Sequence, residues 1–254
     1  MPAAAHALND KVVLITGAAR RIGAAMALAF HAEGARVAVH YHRSSVEAGK
    51  LVAAMNAERH ASAAAFGADL ADLAALEALP ESVVGTLGTL DVLVNNASTF
   101  YPTPVGKITP AQFGDLIGTN LRAPLFLSQA AAPELRRRKG LILNIADIHA
   151  LKPLGRHSVY CAAKAGLVML TQSLARELGP EIRVNAIAPG PVMWPENGVD
   201  DELRQRIVAR TALKRSGSPD DVARAAIFFA TNAPFVTGQV LAVDGGRLIG
   251  GEDR

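Results

Sequence analysis

Short apolar runs recur along this chain, each followed by a longer Ala-rich segment, and this alternation limits the fold more than any other feature. The runs fall at 11–15 (KVVLI), 36–40, 63–66, 90–94 (LDVLV), 140–145 (GLILNI), 182–187 and 239–243. Strands with one wet face alternate polar and apolar residues. These do not alternate, which marks strands buried on both faces, as in a parallel sheet covered by helices on each side. Helices are predicted over 20–33, 45–59, 72–87, 110–138, 159–178 and 219–231, the long one interrupted near Pro124. Gly34 follows the first of these as a helix stop, and Ser44 or Ser45 suits the start of the second. Repeated β–α–β order predicts a doubly wound α/β sheet. No linker or low-complexity tract divides the chain, so 1–254 reads as one domain. The longest irregular stretch, 188–218, has the length of a functional loop over a site.

Half of the residues are apolar, enough for a large core. The 26 basic and 23 acidic residues leave a net charge of only +3, too small to mark a nucleic-acid surface. The one dense basic run, 136–139, fits a solvated helix end, where cations suit the dipole. The single cysteine, Cys161, rules out an intramolecular disulfide. No apolar leader stands at the N-terminus, and no run of about 18 apolar residues exists, so the expected address is the cytoplasm. The seven histidines lack metal-ligand spacing, so no metal is expected.

After the first run comes TGAARRIG at 16–23, opening a helix. Backbone N–H groups at such a start bind pyrophosphate, with Gly17 allowing the tight turn and Gly23 close helix–strand packing. The second strand ends in HYHRS at 40–44, without the acid that holds an NAD ribose. A carboxylate there would repel a 2′-phosphate, whereas Arg43 and Ser44, supported by His40, would attract it. NADPH is therefore the expected cofactor.

Further pieces are ADL (68–70), NNAS (95–98), Asn120, YCAAK (160–164) and PG (189–190). Together with TGAARRIG they resemble the short-chain dehydrogenase/reductase family, in the family's order and over nearly the whole chain. The resemblance implies a Rossmann-type fold, usually of seven strands. It implies a cofactor site that includes Arg20, Ile22, Asn96, Ala97, Ser98, Pro189 and Gly190, with Asp69 and Leu70 at the adenine. Tyr160 and Lys164 would then be the catalytic pair, Lys164 also holding the nicotinamide ribose. Three departures narrow it: Arg21 replaces the middle glycine, Ser98 ends NNAS, and Asp147 stands where the family has a catalytic Ser. With HYHRS and STFYPTP (98–104) these look like pteridine reductases. That implies reduction of pterins, with folates as a further substrate class, Phe100 stacking on the substrate, Arg21 reaching phosphates and substrate, and Ser98 in the pterin pocket. It also implies a homotetramer.

The chemistry agrees. Tyr160 and Lys164 are four apart, on one helix face. Free Tyr ionises near ~10, and a nearby ammonium makes it a better acid. Asn120 either orders a water near Lys164 or bonds within a helix kink near Pro124. An ionised Asp147 would oppose the oxyanion of a ketone reduction. Beside a C=N bond it would stabilise a protonated imine and relay a proton with Tyr160; its structural alternative is a turn cap before Ile148. Phe100, with Tyr101 as a weaker candidate, offers a flat stacking surface; its alternative is packing. Trp194, the only tryptophan, is either a pocket wall or a packing contact, His149 is a possible pocket residue, and Cys161 is turned about 100° from Tyr160 into packing. Two other readings stay open: a carbonyl or 3-oxoacyl reductase, and a non-catalytic NADPH-binding sensor, which would have no need of a Tyr/Lys pair.

Overall fold

A computed structural model describes residues 7–194 and 200–250. Seven strands form one parallel sheet in the order β3-β2-β1-β4-β5-β6-β7. They are β1 Val12–Ile15, β2 Arg36–Tyr41, β3 Ala63–Gly67, β4 Val92–Asn95, β5 Leu141–Ile145, β6 Arg183–Pro189 and β7 Val240–Val243. The helices are α1 Arg21–Ala32, α2 Ser45–Glu58, α3 Leu73–Leu87, α4 Pro110–Ile117, α5 Ala123–Arg138, α6 Ser158–Leu178, α7 Asp201–Ala209 and α8 Pro219–Thr231. Strand order reverses between β1 and β4, where open α/β sheets leave a crevice at the carboxyl ends of their strands.

Adjacent strand residues feed opposite layers, because side chains alternate across a sheet. Val13, Ile15, Val92, Val94, Leu141 and Leu143 pack with Met26 and Phe30 of α1 and Phe229 of α8. Leu14, Leu93 and Ile142 pack on the other side with Leu76 of α3, Leu127 and Leu135 of α5 and Leu174 of α6. The continuous apolar runs therefore serve two cores at once. At the amino end of the sheet, buried Asp91 accepts Lys11 Nζ (3.1 Å), Val12 N (3.0 Å) and Arg138 Nε (3.0 Å), pinning β1 to β4 and α5.

The interruption of the long helix expected near Pro124 is a π turn, Gly118–Arg122, which ends two residues before it. Pro124 has no N–H to return to the preceding turn, and the widened turn absorbs that loss. The stretch 188–218 is not wholly irregular: β6 runs on to Pro189, and α7 stands at Asp201–Ala209. That helix buries no residue. Its start was nonetheless written locally, in Asp200, whose carboxylate accepts Leu203 N (2.7 Å), and in Asp201 and Glu202 of the first turn. Among the described residues, no helix is long and apolar enough to cross a membrane, and no group of three His, Cys, Asp or Glu is placed to hold a metal.

Candidate active site

A cleft of ≈ 660 Å³ opens over the carboxyl ends of β1, β2 and β4. Of the residues expected to hold a cofactor, Gly17, Arg20, Arg21, Ile22, Gly23, His40, Arg43, Ser44, Asp69, Leu70, Asn96, Ala97 and Ser98 line it. Tyr160, Lys164, Pro189 and Gly190 do not; Gly190 packs on Asp244, whose Cα lies 2.7 Å from where a Cβ would stand.

The turn at its floor is tightly built. Gly17 has φ +61, and a Cβ there would lie 3.1 Å from Ala97 Cα. A Cβ on Gly23 would lie 2.4 Å from Gly17 O, so both glycines are required by close approach. Thr16 Oγ1 accepts Asn96 N (2.9 Å) and Ala97 N (3.0 Å), while Asn96 Nδ2 donates to Thr16 O (2.8 Å) and Gly17 O (3.2 Å). Thr16 was not singled out in the sequence, although TGA carries it. The start of α1 has no side-chain cap and no acid in its first turn, so its leading N–H groups are suited to an anion. Arg21 adopts φ +59, a conformation that costs a non-glycine residue about 1 kcal/mol or more, and its Nη2 donates to Trp194 O (3.1 Å).

His40 does not act as a phosphate cation. Its Nδ1 accepts Gly17 N (3.1 Å), so its Nε2 carries the proton and donates to Ala68 O (3.1 Å). Burial pushes the imidazole down to about 4, so it is neutral at ordinary pH and braces the turn. Arg43 is exposed, and Ser44 occupies the cap position of α2 without a side-chain cap bond. Both face the cleft where no carboxylate ends β2. Asp69 lies instead 3.7 Å from His42 Nε2.

Beyond the cleft, toward β5 and α6, four polar groups converge. Tyr160 Oη donates to Asp147 Oδ2 (2.8 Å). Asp147 Oδ1 accepts His149 N (2.8 Å) and caps a short 3₁₀ turn, Ile148–Ala150, so Asp147 is both a turn cap and a partner of Tyr160. Buried Lys164 donates to Ile145 O (2.8 Å), and its Nζ lies 5.8 Å from the Tyr160 ring centre. The spacing implied that the ammonium would make Tyr160 a stronger acid, but the net effect of its surroundings is the reverse. Burial, then the charge and hydrogen bond of Asp147, push the phenol well above the ordinary tyrosine range; a hydrogen bond with Ser98 opposes them weakly. Burial lowers Lys164 to about 8, with the Asp147 charge resisting.

Asn120 sits at the centre of the π turn. Its Nδ2 donates to Leu116 O (2.9 Å) and Thr99 O (2.9 Å), and its Oδ1 accepts Ser98 Oγ (2.6 Å). It therefore fills the helix irregularity and ties it to Ser98, which contacts Tyr160. Phe100 is 47% exposed and meets the Tyr160 ring edge-on at 4.8 Å. Tyr101 is committed elsewhere, donating to Asp115 Oδ2 (2.8 Å). Trp194 is half-buried, under the Arg204 guanidinium at 5.6 Å. His149 turns its Nδ1 to Lys152 O (3.0 Å) and does not line the cleft, and Cys161 is buried against Leu154, where its Sγ accepts Leu154 N (3.4 Å).

A family model described as enoyl-(acyl carrier protein) reductase matches residues 17–247. Pteridine reductase 1 of Leishmania tarentolae is 35% identical over 92% of this chain and 95% of its own length. A 3-oxoacyl-(acyl-carrier-protein) reductase of Staphylococcus aureus is 36% identical over 94% and 98%. L-rhamnose 1-dehydrogenase (NAD(P)(+)) of Azotobacter vinelandii is 39% identical over 95% and 98%. A crystal structure of a blue fluorescent protein from a metagenomic library in complex with NADPH superposes with TM-score 0.89 at 36% identity, covering 94% of this chain and 98% of that one. Three differently named reductases and dehydrogenases match about equally well, so similarity alone does not select a substrate.

Proposed function

This chain belongs to the short-chain dehydrogenase/reductase family, and we propose that it is an NADPH-dependent pteridine reductase acting on a dihydropterin. The carrying observation is the 2.8 Å hydrogen bond from Tyr160 to a carboxylate, Asp147, beside buried Lys164. A ketone reductase gains from a neutral donor at that position, because negative charge builds on oxygen. Reduction of C=N builds charge on nitrogen that must be met by a proton, and a carboxylate serves that need.

The cofactor part of the proposal rests on the uncapped, acid-free start of α1 beneath the cleft and on Arg43 and Ser44 at the end of β2. The first would receive the pyrophosphate and the second the 2′-phosphate. NADPH, when bound, supplies the hydride that goes to the ring carbon of C=N. Tyr160 passes its proton to the ring nitrogen. A tyrosinate beside an ionised carboxylate is disfavoured, so the proton that Tyr160 gives up is replaced from solvent, taken up by Asp147 and passed on to the phenol. The sum is NADPH, a proton and dihydropterin giving NADP⁺ and tetrahydropterin. Lys164 holds positive charge near the phenol, and Asn120 orients Ser98 against it.

Assembly into a homotetramer belongs to the same proposal. It is supported by β7, which among the described residues is an edge strand paired with β6 and leaves Leu241 exposed, and by the exposure of Phe228 of α8 and Phe235. NADPH absorbance loss with dihydrobiopterin, dihydrofolate and an acetoacetyl ester tests the function. Turnover of a pterin is expected. Turnover of the ester alone would establish a 3-oxoacyl reductase instead, and tight NADPH binding without any turnover a sensor.

A further inference from the structure

The ring of Phe100 is not held by regular structure. It lies in the irregular stretch between β4 and α4, yet two clips fix that stretch. Asn120 Nδ2 holds Thr99 O, and Thr103, wholly buried, forms a parallel bridge with His157, its N–H donating to Arg156 O at 2.6 Å. Between the clips, the His157 imidazole lies on Phe100 with centroids 4.7 Å apart and planes 10° from parallel. His157 stands at the cap position of α6, three residues before Tyr160, and makes no side-chain cap bond there. Ser, Thr, Asp or Asn would be the stabilising choice. A local rule is broken where the side chain is used for something else. The imidazole is itself oriented, its Nδ1 meeting Gly155 O at 2.8 Å.

We propose that His157 is a positioning residue that fixes the plane of Phe100, and through it the plane in which a flat heteroaromatic substrate lies. One face of Phe100 is backed by His157, and the Tyr160 ring meets it edge-on. In this proposal the substrate takes the face of Phe100 away from His157, so imidazole, phenyl and substrate ring form one stack whose backing is anchored one helical turn from the proton donor. A linear acyl chain gains nothing from a fixed plane, so His157 contributes to selection of flat substrates. The inference rests on the proposed pterin activity.

The test compares His157→Ala, His157→Leu and His157→Phe in the full chain, with KM and kcat for dihydrobiopterin and the Kd of NADPH. Loss of the ring pair should raise KM about 2- to 10-fold in the Ala and Leu variants, the size of an aromatic-pair interaction. His157→Phe, which keeps a planar ring, should stay within about twofold of wild type, since stacking depends on ring geometry. NADPH affinity should not move, and Phe100→Ala with His157→Ala should be no worse than Phe100→Ala alone. Wild-type-like KM in His157→Leu, equal losses in NADPH affinity, or multiplicative effects of the two Ala substitutions would overturn it. Should His157→Ala fail to fold, the Leu and Phe pair decides. A wild-type chain that reduces no pterin overturns the proposed function and this inference with it. Pterin turnover with an unaffected His157→Leu overturns only the inference.

Discussion

Replacing Asp147 by Asn changes one charge and almost no volume. The amide oxygen keeps the hydrogen bond from His149 N, so the 3₁₀ turn survives. What is lost is a charged acceptor for Tyr160 at 2.8 Å. Hydrogen bonds to charged groups are worth roughly 1.5–3 kcal/mol, which is about one to two pKa units at about 1.4 kcal/mol each. The ionisation of Tyr160 should fall by that much in the variant. It should remain above the free-tyrosine value of ~10, because burial is the larger cause of its elevation. Removing one partner of the proton relay should cost about 10²- to 10⁴-fold in kcat for dihydrobiopterin. NADPH affinity should be unchanged, since Asp147 lies outside the cleft. Asp147→Ser should lose pterin turnover as well. Pterin turnover within a few-fold of wild type in either variant would remove Asp147 from the mechanism.

Arg43→Ala should weaken NADPH by about 10-fold or more, the worth of a charge-assisted hydrogen bond, and leave NADH nearly untouched; His40→Ala, which removes the brace on Gly17, should weaken both, and equal losses for both cofactors in Arg43→Ala would contradict the phosphate assignment. His40 also makes stability pH-dependent. Its unfolded value is 6.5 and its folded value about 4, so its contribution is complete above pH 6.5 and is lost as pH falls toward 4. The difference, 6.5 − 4, corresponds to about 3 kcal/mol; urea melts at pH 7.5 and 4.5 should show a loss of that order, flattened in His40→Asn. For Lys164 the sign is the same, in a higher pH window. The unfolded state binds more protons between about 8 and 10.5, so stability should rise with pH there. Activity should decline through pH 8 as the ammonium is lost, and a flat kcat/KM profile to pH 10 would show that its charge is not needed.

The composition of short segments decided most of the architecture. Apolar runs such as 92–94 mark strands covered on both faces, and Val92, Leu93 and Val94 stand in two cores. Gly17 and Gly23 announced a turn that tolerates no Cβ. The spacings 147, 160 and 164 brought three side chains together because they ride on β5, its following turn and one face of α6. What the sequence left undecided depends on contacts between distant segments. His40 looked like a cation beside Arg43, but burial under Gly17 and Ala68 made it a neutral brace. Tyr160 looked like a sharpened acid, but desolvation and Asp147 outweighed the ammonium. The α7 helix had its cap in view but no buried stripe to declare it. The pairing of Phe100 with His157 spans 57 positions and follows no periodicity. Propensity and pattern act within a few residues, so the sequence by itself determined the elements and the residue types at the site. Dielectric environment and ring geometry are set by whatever the fold packs alongside, so only the tertiary structure decided how those residues behave.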